Sequence, residues 1–300
     1  MIQKTDAMGR VAAALGREGA HMAAAAGDEA AARAYFARWC EEGAQGCPKC
    51  GEGKNYGLKD GRLRCSRCGY TFHAFSLRWI NRGGLAFAHW MTLVGHFAEG
   101  LPAQRIALRM PLTYNTIHKA LTTLRLAILA QDTADAAYLL NEKNELGVFC
   151  SGGADRSPYE HCAACSSPVF SIREGGGAVD TSVARDLLAR EVMAYPVAVN
   201  MCRTFLYTDT FAGHDSLLFS CCKTVRRLYR GDPVRQLETV HLDRDSAFWR
   251  FAKPWLAQYH AIAPETYPLY LKEIAFRYNH RGDDIAPLFA QRLCALVPHR

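Results

Sequence analysis

The sequence has no run of about 18 apolar residues, so no helix of it can span a bilayer. Its opening residues, MIQKTDAMGR, lack the apolar stretch and cleavage pattern of a secretory signal, and a cytoplasmic location is expected. There is no internal repeat, and no low-complexity tract beyond an alanine-rich N-terminus, which leaves repeat architectures aside. Neither sign of charge dominates: 36 Lys and Arg stand against 29 Asp and Glu, a formal net charge of +7. That excess suits a polyanionic partner and equally a solvated basic surface.

What the chain does have is enough apolar residue, 49%, to build a core and exclude wholesale disorder. Its 300 residues leave room for one large domain with one or two small ones. It also has twelve cysteines, which in a cytoplasmic protein read as metal ligands and buried thiols rather than a disulfide framework.

The organisation changes along the chain. Residues 28–39, DEAAARAYFARW, place Ala31, Tyr35, Phe36 and Trp39 at helical spacing behind Asp28 as a cap. Residues 47–73 exchange that pattern for Gly, Cys and short alternating segments. Three helical stretches follow over 84–130, LAFAHWMTLVGHFA, PAQRIALRM and TYNTIHKALTTLRLAIL, parted at Glu99-Gly100 and Met110-Pro111. Beyond residue 143 the pattern is mixed. NELGVFC (144–150) reads as a strand, and PVFSIRE (168–174) with GAVDTSV (177–183) as a hairpin through Gly175-Gly176. SVARDLLAREVMA reads as a helix, and RTFLYTD (203–209) as a short strand ending on an acid. Two long helical stretches, VHLDRDSAFWRFAKPWLAQYH and PETYPLYLKEIAFRYNHR, complete the pattern.

The sharpest motif is a pair of C-x-x-C knuckles, Cys47-Pro-Lys-Cys50-Gly and Cys65-Ser-Arg-Cys68-Gly. Each puts two thiolates on one tight turn, and Gly51 and Gly69 follow where a positive φ is expected. Four thiolates close a tetrahedral structural Zn²⁺ site and leave no position for substrate. A segment this short buries too little apolar area to fold alone, so metal would stabilise it. Lys49, Lys54, Lys59, Arg62, Arg64 and Arg67 give the ribbon a basic surface that either contacts phosphates or is merely solvated.

Next comes a helix-turn-helix candidate. Pro102 opens a short helix with Ile106 and Leu108, Pro111 breaks it, and Thr113 caps a second helix carrying Ile117, Leu121, Leu124 and Ile128 on one face. The other face would show Tyr114, Asn115, His118, Lys119 and Thr122, of which Asn115, His118 and Lys119 are the DNA-contact candidates. An αα-hairpin inside a bundle has the same pattern.

Three blocks carry a resemblance: YFARWCEEGAQGCPKCG (35–51) with RCSRCGYTF (64–72), FLYTDTFAGHDSL (205–217), and FWRFAKPWLAQYHAIAPETYPLYLKEIAFRYNHR (248–281). In this order they resemble the zinc-ribbon insertion-sequence transposases of the ISXO type, over about residues 30–281. The resemblance implies an α+β multidomain chain: an N-terminal helical segment (1–46), the zinc ribbon (47–75), the helix-turn-helix (84–130) and a ribonuclease-H-like mixed α/β domain (143–285). It also implies a DDE site in which three side chains hold two Mg²⁺ or Mn²⁺ ions for DNA strand cleavage and transfer. Asp209 matches the second acidic position, and Asp243 the third, with Asp245 as second choice. Relatives carry a Glu just before Ser-Phe-Trp; that place is Ser246 here. At the first position relatives carry an Asp-Glu pair before a Gly-Gly, and those places are Gly147 and Val148 in this chain. Glu145, two residues earlier, is the nearest replacement, and Asp155 the next.

Where relatives carry a basic, Gly-rich loop, residues 154–167 hold His161, Cys162 and Cys165, with Cys150 upstream. They form either a second metal site or a set of buried thiols. Arg226 and Arg227 in KTVRRLYR, with Lys253, Lys272, Arg277, His280 and Arg281, are candidates for a DNA track or for solvated faces. The expected partner is DNA at transposon ends, met by at least a dimer and at the nucleoid. The alternatives are a transposase-derived DNA-binding regulator without chemistry and a zinc-stabilised protein-interaction scaffold.

Overall fold

The computed structural model describes residues 22, 24–42, 46–147, 168–192, 198–199, 205–208, 215–220, 246–259, 262 and 266–298. These fall into two compact units, Met1–Gln131 with His280–Arg300, and Asp132–Asn279.

The first unit is helical apart from the ribbon. Helix α1 (Glu29–Glu42) precedes a three-stranded antiparallel sheet, β1 (Asn55–Gly57), β2 (Leu63–Cys65) and β3 (Thr71–Phe72). Helices α2 (Trp79–Arg82), α3 (Phe87–Ala98), α4 (Ala103–Ala107) and α5 (Tyr114–Leu129) follow. The helix expected behind Asp28 forms, with the Asp28 carboxylate accepting from the N–H groups of Ala30 at 2.9 Å and Ala31 at 3.2 Å. Glu29 then caps a different helix. Its carboxylate accepts from Phe87 N–H at 3.0 Å and Ala88 N–H at 2.8 Å, satisfying two orphan donors of α3.

A helix not expected from the sequence, α10 (Ile285–Cys294, the last in the chain), packs against α1, α2, α3 and α5. Its Phe289 is fully buried, with its ring 4.8 Å from that of Phe97. Arg78, itself buried, ties three chain segments together. Its guanidinium donates to the carbonyls of Ala74 (2.7 Å), Cys40 (2.9 Å) and Cys294. Cys40 and Cys294 lie in the last turns of α1 and α10, where free carbonyls attract a cation.

The second unit begins with α6 (Thr133–Leu139), capped by Asp132, whose side chain accepts from Asp135 N–H. Its sheet holds β4 (Pro168–Gly175), β5 (Ala178–Leu188), β6 (Ala198–Val199), β7 (Phe205–Thr208) and β8 (Ser216–Ser220) in the order β5-β4-β8-β7-β6. A short α7 (Ala189–Val192) follows β5, and α8 (Ala247–Gln258) and α9 (Tyr267–Asn279) complete the unit. Val169 to Ile172 of β4 and Leu217 to Phe219 of β8 are buried without interruption, so both faces of these central strands are covered.

The expected hairpin forms, with Arg173 opposite Asp180 and Gly175 opposite Ala178. Two expectations are corrected. The segment SVARDLLAREVMA is not a helix from its start: residues 182–188 continue β5, and among its described residues only Ala189–Val192 are helical. Of the described part of the expected strand, Asn144, with φ of 55°, and Glu145 lie in a bend, and Leu146 forms an isolated antiparallel bridge with Leu140. Every strand pairing among the described residues is antiparallel.

Side chains close the outer edge of β5. Asn279 spans Val179, accepting from its N–H at 2.7 Å and donating to its carbonyl at 2.9 Å. Lys272 donates to the Thr181 carbonyl, and Asp135 accepts from Val183 N–H at 3.0 Å. Lys272 Nζ also lies 2.6 Å from Asp135 and 2.9 Å from Asp132. Desolvation raises the Asp132 carboxyl, but the Asp135 N–H and Lys272 outweigh it and hold it below the usual range. Such a carboxylate stabilises the fold above its unfolded pKa and loses that contribution as pH falls through the folded one. Lys272→Met leaves Asp135 buried without its cation. It should lower unfolding free energy by about 3–5 kcal/mol, seen as a lower urea midpoint; an unchanged midpoint would deny the pair this role.

Candidate metal centre and nucleic-acid interface

The two knuckles are built alike. Gly51 N–H donates to the Cys47 carbonyl at 2.8 Å, and Gly69 N–H to that of Cys65 at 3.2 Å. Cys47 N–H reaches the Glu52 carbonyl, and Cys65 N–H that of Tyr70, at the matching position. Gly51 and Gly69 have φ of 74° and 68°, the left-handed conformation that glycine adopts freely. Lys49 and Arg67 each point a backbone N–H at the first sulfur of their knuckle, both at 3.4 Å.

These turns bring all four sulfurs within 4.8 Å of one another. Cys47 and Cys68 Sγ stand 3.5 Å apart, and Cys50 and Cys65 Sγ 3.6 Å. Zinc at about 2.3 Å from each sulfur sets tetrahedral S···S edges of roughly 3.8 Å, so the cluster fits that ion with little adjustment. A hydrogen bond from the Glu52 backbone lowers the Cys50 thiol, but desolvation and the shared bonds with Cys68, Cys65 and Cys47 push it up to about 12. Desolvation raises Cys65, yet the N–H groups of Cys68 and Arg67 and the neighbouring thiols bring it down to about 7. Cys65 is thus the more acidic of the two thiols and Cys50 the less.

Residues 27–71 match the family model of the transposase zinc-ribbon domain. The matched segment resembles that domain. It takes in α1 as well as the knuckles. No curated protein and no solved structure gives a match to the chain.

On α5, Thr113 caps the helix as expected, its hydroxyl accepting from Thr116 N–H at 3.3 Å. Ile117, Ala120, Leu121 and Leu124 are buried, while Tyr114, Asn115, His118 and Lys119 are exposed. From Thr123 onward every residue of the helix is buried. Only the first turns of α5 therefore present a polar face, beside Gln104 and Arg105 of α4, which are also exposed. Desolvation, then the charge of Arg125, lowers the pKa of His118, so its imidazole is neutral at pH 7 and offers one donor and one acceptor.

The other expected site residues fare differently. Glu145 is exposed in the bend after α6, its N–H donating to the Asn141 side chain at 3.0 Å. Asp209, Asp243 and Asp245 lie outside the described residues, as do Asp155, Arg226, Arg227 and the possible second metal set Cys150, His161, Cys162 and Cys165. Strand β7 ends at Thr208, the residue before Asp209. Lys272 and Arg277 are withdrawn from the suggested DNA track. Both are buried, Lys272 on Asp135 and Arg277 on Glu273 at 2.8 Å, and neither can meet a phosphate.

Ser246 caps α8 through Trp249 N–H. Its hydroxyl donates to Glu174, whose other oxygen accepts from Phe248 N–H at 3.1 Å. A carboxylate thus reaches this helix N-terminus from β4, a contact that the sequence around Ser246 does not reveal.

Purified chain should carry zinc that Cys65→Ser loses and Cys40→Ala keeps, measured as metal per chain by elemental mass spectrometry. Equal zinc in wild type and Cys65→Ser would remove the ribbon from the site.

Proposed function

We propose that this chain is a transposase-type DNA-binding protein acting in DNA transposition, with α4 and α5 recognising transposon-end duplex. The observation that carries this reading is the exposed polar start of α5 in a chain that also holds a segment resembling the transposase zinc-ribbon domain. Asn115 can present an amide to an adenine edge, and neutral His118 can pair as donor or acceptor. Lys119 supplies a phosphate contact, and the free N–H groups at the helix start favour a second. Two ends held together in transposition favour at least a dimer on DNA.

Strand cleavage and transfer form the catalytic half of the proposal. It rests on Asp209, Asp243 and Glu145 converging on divalent ions. Their support is the resemblance of the surrounding blocks; Glu145, in an exposed bend, is the weakest member of the set.

Binding to labelled terminal duplex across a salt series tests the recognition half. Lys119→Ala should weaken all sequences alike and reduce the salt slope by about one, whereas Asn115→Ala should cost about 1–3 kcal/mol at one base position. Adding Mg²⁺ or Mn²⁺ to the same duplex should produce nicks that Asp209→Ala abolishes. Affinity indifferent to salt and to both helix substitutions would overturn the binding assignment, and nicking unaffected by Asp209→Ala would overturn the catalytic one.

A further inference from the structure

The two faces of the ribbon sheet differ sharply. Leu63, Cys65 and Phe72 point inward, where Cys65 and Phe72 cluster with Cys47, and Cys50 and Tyr70 pack alongside. On the other face the register places Tyr56 opposite Arg64 and Arg64 opposite Thr71, so these three side chains line up across the strands. Tyr56 is 52% exposed, an unusual state for an aromatic ring that no core requires. Lys54, two residues earlier and on the same face, has its ammonium 5.9 Å from the Tyr56 ring centroid.

Charge on this face is not spent internally. Arg62 is held by Asp60 at 2.5 Å, but among the described residues no carboxylate forms an ion pair with Lys54 or Arg64. Residues 47–73 carry six basic residues (Lys49, Lys54, Lys59, Arg62, Arg64 and Arg67) against two acidic ones (Glu52 and Asp60). An exposed ring between unpaired cations, on a small open sheet, has the chemistry of a single-strand stacking platform. Paired duplex offers no base face to such a ring.

We propose that the outer face of the ribbon sheet binds single-stranded DNA, one unpaired base stacking on Tyr56 while Lys54 and Arg64 hold the flanking phosphates. The inference rests on DNA being the partner and adds a second site with a different substrate, separate from the duplex face of α5. Cleaved or frayed ends are where a DNA-handling protein meets such bases.

The test uses the full zinc-loaded chain, with fluorescence anisotropy on two probes at one salt concentration. The probes are an oligothymidine of about twenty nucleotides and a duplex of about the same length. Tyr56→Ala should weaken oligothymidine binding roughly ten-fold or more, with unchanged zinc content and duplex affinity. Tyr56→Phe keeps the ring and should bind oligothymidine like wild type, while Lys119→Ala should affect the duplex alone. Oligothymidine affinity indifferent to Tyr56→Ala overturns this inference and leaves the duplex reading standing. Equal losses on both probes overturn the single-strand assignment. Absence of affinity for either probe overturns both readings.

Discussion

Four sulfurs drawn within 4.8 Å of one another are the constraint on which the ribbon depends. The buried core there is Cys47, Cys65 and Phe72, edged by Cys50, Leu63 and Tyr70. That area is far below what a free-standing fold needs, so a bound metal would take the place of a hydrophobic core. The knuckle turns, the positive φ of Gly51 and Gly69, and the N–H groups aimed at sulfur all follow from bringing four thiolates to one ion. Because the ligands occupy the inner face of the sheet, the outer face is left for the basic and aromatic residues.

Each unit also contains a buried cation that organises main chain rather than meeting solvent. Arg78 gathers carbonyls at the ends of α1 and α10. Lys272 joins α9 to the edge of β5 and to the carboxylates of α6 and its cap. With Asn279 and Asp135 it satisfies the outward groups at residues 179, 181 and 183, so a strand edge that would invite pairing with another chain is closed by side chains. Burying charges this way costs desolvation, offset here by contacts with carbonyls and opposite charge.

What was legible in the sequence is what local spacing determines. The ribbon could be read because two C-x-x-C turns have one common chemical use, and the α5 cap because Thr113 meets its partner three residues on. Helix α10 was not legible. Pro287 reads there as a breaker, although the first helical turn tolerates it. Residues 182–188 carry a helix-like composition, but pairing with β4 and closure by Asp135 decide their conformation, and those partners are distant in sequence. Lys272 and Arg277 looked like surface cations for the same reason. A basic residue on a helix reads alike whether its partner is water or a carboxylate 137 positions away, as Asp135 is from Lys272. The candidate duplex face was legible because exposure of Asn115, His118 and Lys119 follows from helical phase alone. The first acidic position was not, because Glu145 occupies a bend where a strand was expected.

Zinc K-edge X-ray absorption on the purified chain tests the central claim most directly, because it reports the atoms around the metal. A first shell of four sulfur scatterers at about 2.3 Å is the expected result. A shell dominated by nitrogen or oxygen, or protein that folds without stoichiometric zinc, would contradict the metal-centred ribbon.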